Sequence, residues 1–110
     1  IKLSGSRILV IGVTYKKDVR DLRKSPSIDI IDTLRKERAR VDYFDPLIPY
    51  LRFGKLDLKC AALNQVSRYD CVVIATDHSN INYRFILKNA KLIFDTRNVF
   101  KKACQKVVKL

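Results

Sequence analysis

The apolar positions fall into short runs separated by charged stretches, and their spacing changes along the chain. The first run, Arg7-Ile8-Leu9-Val10-Ile11-Gly12-Val13, is continuous and rich in branched residues. Such a run fits a strand buried on both faces, as in a parallel sheet. A charged stretch from Lys16 to Lys24 follows with no period and reads as a loop. Ser25-Pro26 then predicts a helix start, with serine capping free N–H groups and proline at the first helical position. Ile28, Ile31 and Leu34, joined by Ile30, form a stripe at helical spacing. Arg35 to Arg38 make its basic, solvated end, which suits the negative pole of the helix. Val41-Asp42-Tyr43-Phe44 predicts a second strand, closed by Asp45-Pro46 because proline cannot donate to a ladder. Pro49 and Gly54 mark an irregular connection, and Ala61, Ala62 and Leu63 predict a short helix over Leu58 to Val66. Cys71 to Thr76 reads as a third strand, Asp77-His78-Ser79 as a turn, and Ile81 to Leu87 as a helix with Ile81, Phe85 and Ile86 facing inward. Lys91 to Asp95 is a fourth strand, Thr96-Arg97-Asn98 its closing loop, and Val107-Val108 a further short strand.

This order, βαβαβαβ, predicts an α/β fold: a Rossmann-like, mainly parallel open sheet with helices on both faces. The 110 residues suit one domain, expected to span 1–110. The N-terminus has no initiator Met and no signal-peptide core, so the chain reads as a piece of something longer. No apolar run approaches the roughly 18 residues of a membrane span. With 47% hydrophobic and 31% charged residues, disorder is not expected.

Charge narrows the chemistry. Lysine and arginine number 23 against 11 acidic residues, a formal charge of +12. The balance favours an anionic partner such as nucleic acid, an acidic membrane or a phosphorylated small molecule, or reflects only a basic surface. Cys60, Cys71 and Cys104 are widely spaced, so a disulfide framework or zinc site is not expected, and a reducing cytosol is. Ligands of an open parallel sheet bind beyond the carboxyl ends of its strands. That rule selects 12–23, 45–49, 76–79 and 95–98. Lys16, Lys17, Arg20, Arg23 and Arg97 cluster there as candidates for a phosphate or diphosphate. Gly12 stands alone, so neither a G-x-G-x-x-G dinucleotide fingerprint nor a P-loop is present. Tyr15 beside Lys16 could set a flat base or sugar next to a phosphate grip, or pack its ring on the first helix. Arg23 could instead pair with Asp21, and Arg97 with Asp95. Asp77 and His78 are weak candidates for acid–base work, since a lone histidine after a strand is more often a turn or packing residue.

The run Gly12-Val13-Thr14-Tyr15-Lys16-Lys17-Asp18-Val19-Arg20-Asp21-Leu22-Arg23-Lys24-Ser25-Pro26 resembles the G-x-x-[YF]-K-x-D-x-x-D-x-R-x-S-P signature of the UDP-glucose/GDP-mannose dehydrogenases, in their C-terminal UDP-binding domain. Val41 to Pro46, Val73 to His78 and Phe94 to Asn98 match in the same order. The last three look most like the UDP-N-acetylhexosamine branch, with UDP-N-acetylglucosamine 6-dehydrogenase as its type. The resemblance implies part of a cytoplasmic, NAD-dependent enzyme of polysaccharide precursor synthesis that oxidises a sugar C6 alcohol to a carboxylate. It implies a UDP-sugar contacted by Tyr15, Lys16 and Arg97, and NAD bound mainly by another domain and approached by Arg23. It implies a catalytic cysteine outside this segment, dimerisation through a central domain, and neither nucleic-acid nor membrane partners. The rivals are a basic nucleic-acid-binding module, a degenerate scaffold, or the UDP-glucose/GDP-mannose branch. Arg20 and Lys24 stand where the family often has acidic residues. Arg38 replaces a glycine that ends the first helix, which puts that cap in doubt.

Overall fold

Burial of one strand on both faces organises the molecule, a computed structural model that describes residues 3–101 and 105–109. Strand β1 (Arg7–Ile11) carries four consecutive buried residues, Ile8 to Ile11. Ile8 and Val10 enter one core with Ile28, Ile31, Tyr43, Leu51 and Leu56. Leu9 and Ile11 enter a second core with Val66, Ile74, Ile86 and Ile93. Alternate side chains point to opposite faces of a sheet, so one apolar run feeds both layers.

Helix α1 (Pro26–Lys36) covers the first face, with Ile28 and Ile31 buried and Ile30 and Leu34 partly so. Proline stands at its start, but the Ser25 side chain does not cap it. The Ser25 hydroxyl instead donates to the Val13 carbonyl at 2.7 Å. At the other end, Arg38 adopts φ +66. Its N–H reaches the Arg35 carbonyl at 2.9 Å and the Ala39 N–H reaches Leu34 at 3.1 Å. These are the paired bonds of a Schellman cap, formed here without glycine.

β2 (Arg40–Phe44) lies parallel to β1. Next comes a hairpin, β3 (Tyr50–Phe53) and β4 (Leu56–Lys59), antiparallel to each other and separate from the main sheet. The helix expected over Leu58 to Val66 is therefore replaced by strand β4 and a 3₁₀ turn at Leu63–Arg68. Leu51 and Leu56 are 0% and 4% exposed, and alternation along the hairpin is what buries them. Gly54, at φ +59, opens the two-residue turn. The chain re-enters the sheet as β5 (Cys71–Ile74), crosses the second face as helix α2 (Tyr83–Asn89), and continues as β6 (Ile93–Asp95) and β7 (Val107–Lys109). On α2, Ile86 is fully buried while Phe85 is half-buried.

The five-stranded sheet has the order β2-β1-β5-β6-β7, parallel throughout. The winding reverses between β1 and β5, which is where such sheets open a crevice for ligands. No helix among the described residues is long and apolar enough to cross a membrane.

Candidate functional site

Gly12 closes β1 at that reversal. Its φ is +85, and a Cβ there would lie 2.3 Å from the Thr76 carbonyl oxygen. The ends of β1 and β5 thus meet backbone to backbone, and only glycine fits between them. Residues 12–25 then form a long irregular loop. Such loops need side chains to satisfy their backbone. Here the Val13 N–H donates to the Asp45 carboxylate at 2.8 Å. The Thr76 hydroxyl donates to the Thr14 carbonyl at 2.8 Å, and the Thr14 hydroxyl to the Lys16 carbonyl at 2.8 Å. The Asp18 N–H donates to His78 Nδ1 at 2.8 Å, while Ser79 donates through its N–H and hydroxyl to the Asp18 carboxylate at 2.8 and 2.6 Å.

Two aspartates end parallel strands after an aromatic residue: Phe44-Asp45 and Phe94-Asp95. Both are buried, at 1% and 0% exposure. Asp45 accepts from Val13, Leu47 and His78, whose Nε2 lies 2.9 Å away. Asp95 accepts the backbone N–H groups of Arg97, Val99 and Phe100. The Asp95 carboxylate folds its own loop over the sheet edge, whereas Asp45 ties its own loop at Leu47 to the loops after β1 and β5. Hydrogen bonds from the Ser79 hydroxyl and backbone hold the Asp18 carboxyl below its usual range. Arg23 does the same to Asp21, which in turn holds the Arg23 guanidinium charged. Burial pushes the Cys71 thiol up to about 11 and also raises Cys60, so neither is primed as a nucleophile. Cys104 lies outside the described residues.

The side chains expected to bind ligand stand on this scaffold. Tyr15 is exposed at 42%, and the Lys16 ammonium sits 5.6 Å from its ring centre. Arg97 does not ion-pair with Asp95: its Nε donates to the Ala75 carbonyl at 2.9 Å, and only its backbone N–H donates to the Asp95 carboxylate. Since β5 alone separates β1 from β6, the roots of the Lys16 and Arg97 loops lie roughly 10 Å apart on one edge. Long basic side chains can converge over that span on a diphosphate. Arg23 is bound to Asp21 at 3.1 Å and remains exposed. With Tyr15, Asp21 and Lys24 it lines a shallow cleft of about 350 Å³.

Sequence reasoning missed the buried polar set of Thr14, Asp45, Thr76, His78 and Asp95. The repeated aromatic–aspartate strand end was the one local signal for it. His78, read as a weak acid–base candidate, is fully buried and bonded at both ring nitrogens. Among the described residues no group of three or more His, Cys, Asp or Glu is placed to hold a metal.

Residues 9–102 match the UDP-glucose/GDP-mannose dehydrogenase family, UDP binding domain. A UDP-N-acetyl-D-mannosamine dehydrogenase of Methanococcus maripaludis is 37% identical over 105 residues, covering 86% of this chain and 23% of that protein. A UDP-N-acetyl-D-glucosamine 6-dehydrogenase of Salmonella typhi is 30% identical over 80 residues, covering 71% and 19%. The solved UDP-D-ManNAc dehydrogenase of Pyrococcus horikoshii superposes with a TM-score of 0.75 at 30% identity, over 99% of this chain and 26% of that one. The chain thus spans about a quarter or less of the length of these relatives.

Proposed function

Because the chain belongs to the UDP-glucose/GDP-mannose dehydrogenase family and matches its UDP-binding domain, we propose that residues 1–110 grip the nucleotide of a UDP-sugar within a longer NAD-dependent 6-dehydrogenase. That enzyme oxidises the sugar C6 alcohol to a carboxylate in the cytoplasm, for polysaccharide precursors. It works as a dimer formed through a domain outside this chain. Relatives named for UDP-N-acetylmannosamine and UDP-N-acetylglucosamine favour an N-acetylhexosamine as the sugar.

The observation that carries this reading is the shared edge: Tyr15, Lys16 and Arg97 rise from loops tied to β1 and β6, on either side of the crevice at Gly12 and Thr76. Lys16 and Arg97 neutralise the diphosphate from two sides, and Tyr15 lies along the base or ribose. Arg97, oriented through its Nε bond to Ala75, keeps its two terminal nitrogens for phosphate oxygens.

NAD fits this chain only in part. Its pyrophosphate needs a glycine-rich turn opening a helix. Here the Cβ position of Gly12 is filled by Thr76, and a long loop separates the strand from α1. The cradle must therefore come from another domain. Arg23, exposed and held by Asp21, is the contribution this chain offers, as an anion contact from across the cleft.

Calorimetric titration with UDP tests the proposal. UDP should bind in preference to GDP, and K16A and R97A should each weaken it roughly tenfold to a hundredfold. Unchanged affinity in both variants would indicate a scaffold that has lost its ligand. Tight oligonucleotide binding with a steep salt dependence, undisturbed by UDP, would instead indicate a nucleic-acid module.

A further inference from the structure

The chain contains a single histidine, and it lies where the loops after β1, β2 and β5 meet. His78 is 0% exposed. Its Nδ1 accepts from the Asp18 backbone, so in the neutral ring the proton resides on Nε2. Nε2 faces the Asp45 carboxylate at 2.9 Å and the Thr14 hydroxyl at 3.2 Å. The His78 carbonyl accepts the Tyr83 hydroxyl at 2.7 Å, which fixes the backbone that carries the ring. One imidazole thereby joins the β2 end (Asp45), the long loop at two places (Thr14 and Asp18) and the β5 end.

Thr14 and Asp18 bracket Tyr15 and Lys16. The turn between them has φ +61 at Asp18, a conformation held from outside by the His78 ring and by Ser79. We infer that His78 is a positioning residue for nucleotide binding, setting the Tyr15–Lys16 turn through its Nδ1 bond to the Asp18 amide. This rests on the reading of the edge as a UDP site and adds to it a residue that does not touch the ligand. The two ring nitrogens divide the work. Nε2 ties the ring to the buried Asp45, with the Thr14 hydroxyl farther off at 3.2 Å, and serves chiefly the fold. Nδ1 reaches outward to the loop and serves the ligand. A ring needed only for packing would make no such division.

Two substitutions separate the roles. H78N places an amide oxygen near the Nδ1 position and keeps an acceptor for Asp18, while losing the donor to Asp45. H78Q places an amide nitrogen near the Nε2 position and keeps the donor, while losing the acceptor. Both should lower the melting temperature. UDP affinity should stay within about threefold of the parent in H78N and fall tenfold or more in H78Q. Amide exchange should show Asp18 protected in H78N and open in H78Q, without any ligand. Should both His78 variants fail to fold, the parent chain carries the test: the Asp18 amide should be protected from exchange without ligand, and UDP should leave that protection and the His78 ¹⁵N shifts unchanged.

Because only one imidazole is present, its ¹⁵N spectrum reports the tautomer of the parent chain directly. A resonance pair typical of the Nε2–H form, with Nδ1 accepting, is expected. Parent-level UDP affinity in H78Q, or affinity losses in both variants that follow their melting temperatures, would overturn the inference alone. So would an Asp18 amide that stays unprotected in the parent chain until UDP is added. Absence of UDP binding by the parent chain would overturn the site reading beneath it.

Discussion

Replacing Arg38 by glycine should stabilise the protein, against the usual direction of substitution. Arg38 follows α1 with φ +66, and its N–H and that of Ala39 close the helix onto Arg35 and Leu34. An L side chain in the left-handed region costs about 1–2 kcal/mol, which glycine does not incur. Glycine gives back about 0.4–1 kcal/mol through the freedom it adds to the unfolded chain. The net gain is about 0.5–1 kcal/mol. Unfolding entropy near 2.1 cal/mol/K per residue converts this to roughly 2–4 °C in Tm for a chain of this length. Circular dichroism on heating measures it, and a urea titration should show a higher midpoint at unchanged slope. The control is R38A, which removes the same charge but keeps the strained backbone, and should bring no gain. If R38G is no more stable than R38A, the left-handed strain assigned to this position is not there.

Gly12→Ala should cost about 3–5 kcal/mol, because its Cβ would strike the Thr76 carbonyl as well as enter the left-handed region. Gly54→Ala shares the positive φ but meets nothing within 4 Å, and should cost only about 1–2 kcal/mol in the same urea titrations. The Asp18 carboxyl is held below its ordinary value of 3.8 in the folded state. Its contribution is therefore complete above that value and is lost as pH falls through the lower folded value. The gap in urea midpoint between parent and D18N should be constant above about pH 5 and close on acidification below it. A gap that does not change with pH would mean that the Ser79 contacts do not favour the charged form.

Local sequence revealed what local physics determines. Ile8 to Ile11 announced a doubly buried strand because both faces of that strand are covered, and the Ile28–Ile31 spacing announced a helix because one stripe of it is. The exposed cations were legible too, since parallel topology alone sends 12–23 and 95–98 to one edge. The hairpin was not. Ala61-Ala62 weighs toward helix, whereas burial of Leu51 and Leu56 against Tyr43 and Ile28 decides in favour of strands. Ser25 resembled a cap by its place before Pro26, yet its hydroxyl serves Val13, twelve residues back. The polar network was hidden for the same reason on a longer scale: His78 meets Asp45 and Asp18 across 33 and 60 residues. No window of sequence displays such a partnership.

That network also bears on how an exposed loop can bind at all. A free loop of this length would lose about 1–2 kcal/mol of backbone entropy for each residue that a ligand ordered. In this chain Asp45, Thr76, His78 and Ser25 already hold Val13, Thr14 and Asp18 in place before any ligand arrives. On the proposed reading, a ligand at Tyr15 and Lys16 would meet a loop already tied at these three points and would have less backbone to order. Among the described residues neither Lys16 nor Arg97 is ion-paired with a carboxylate, whereas Arg23 is. Folding has thus engaged Asp18, Asp45 and Asp95 with backbone N–H groups, the Ser79 hydroxyl and His78, and Asp21 with Arg23. Lys16 and Arg97 thus keep their charge for an anion, as the proposed diphosphate site requires, and among the described residues Lys17, Arg20 and Lys24 of the same loop are likewise free of a carboxylate partner.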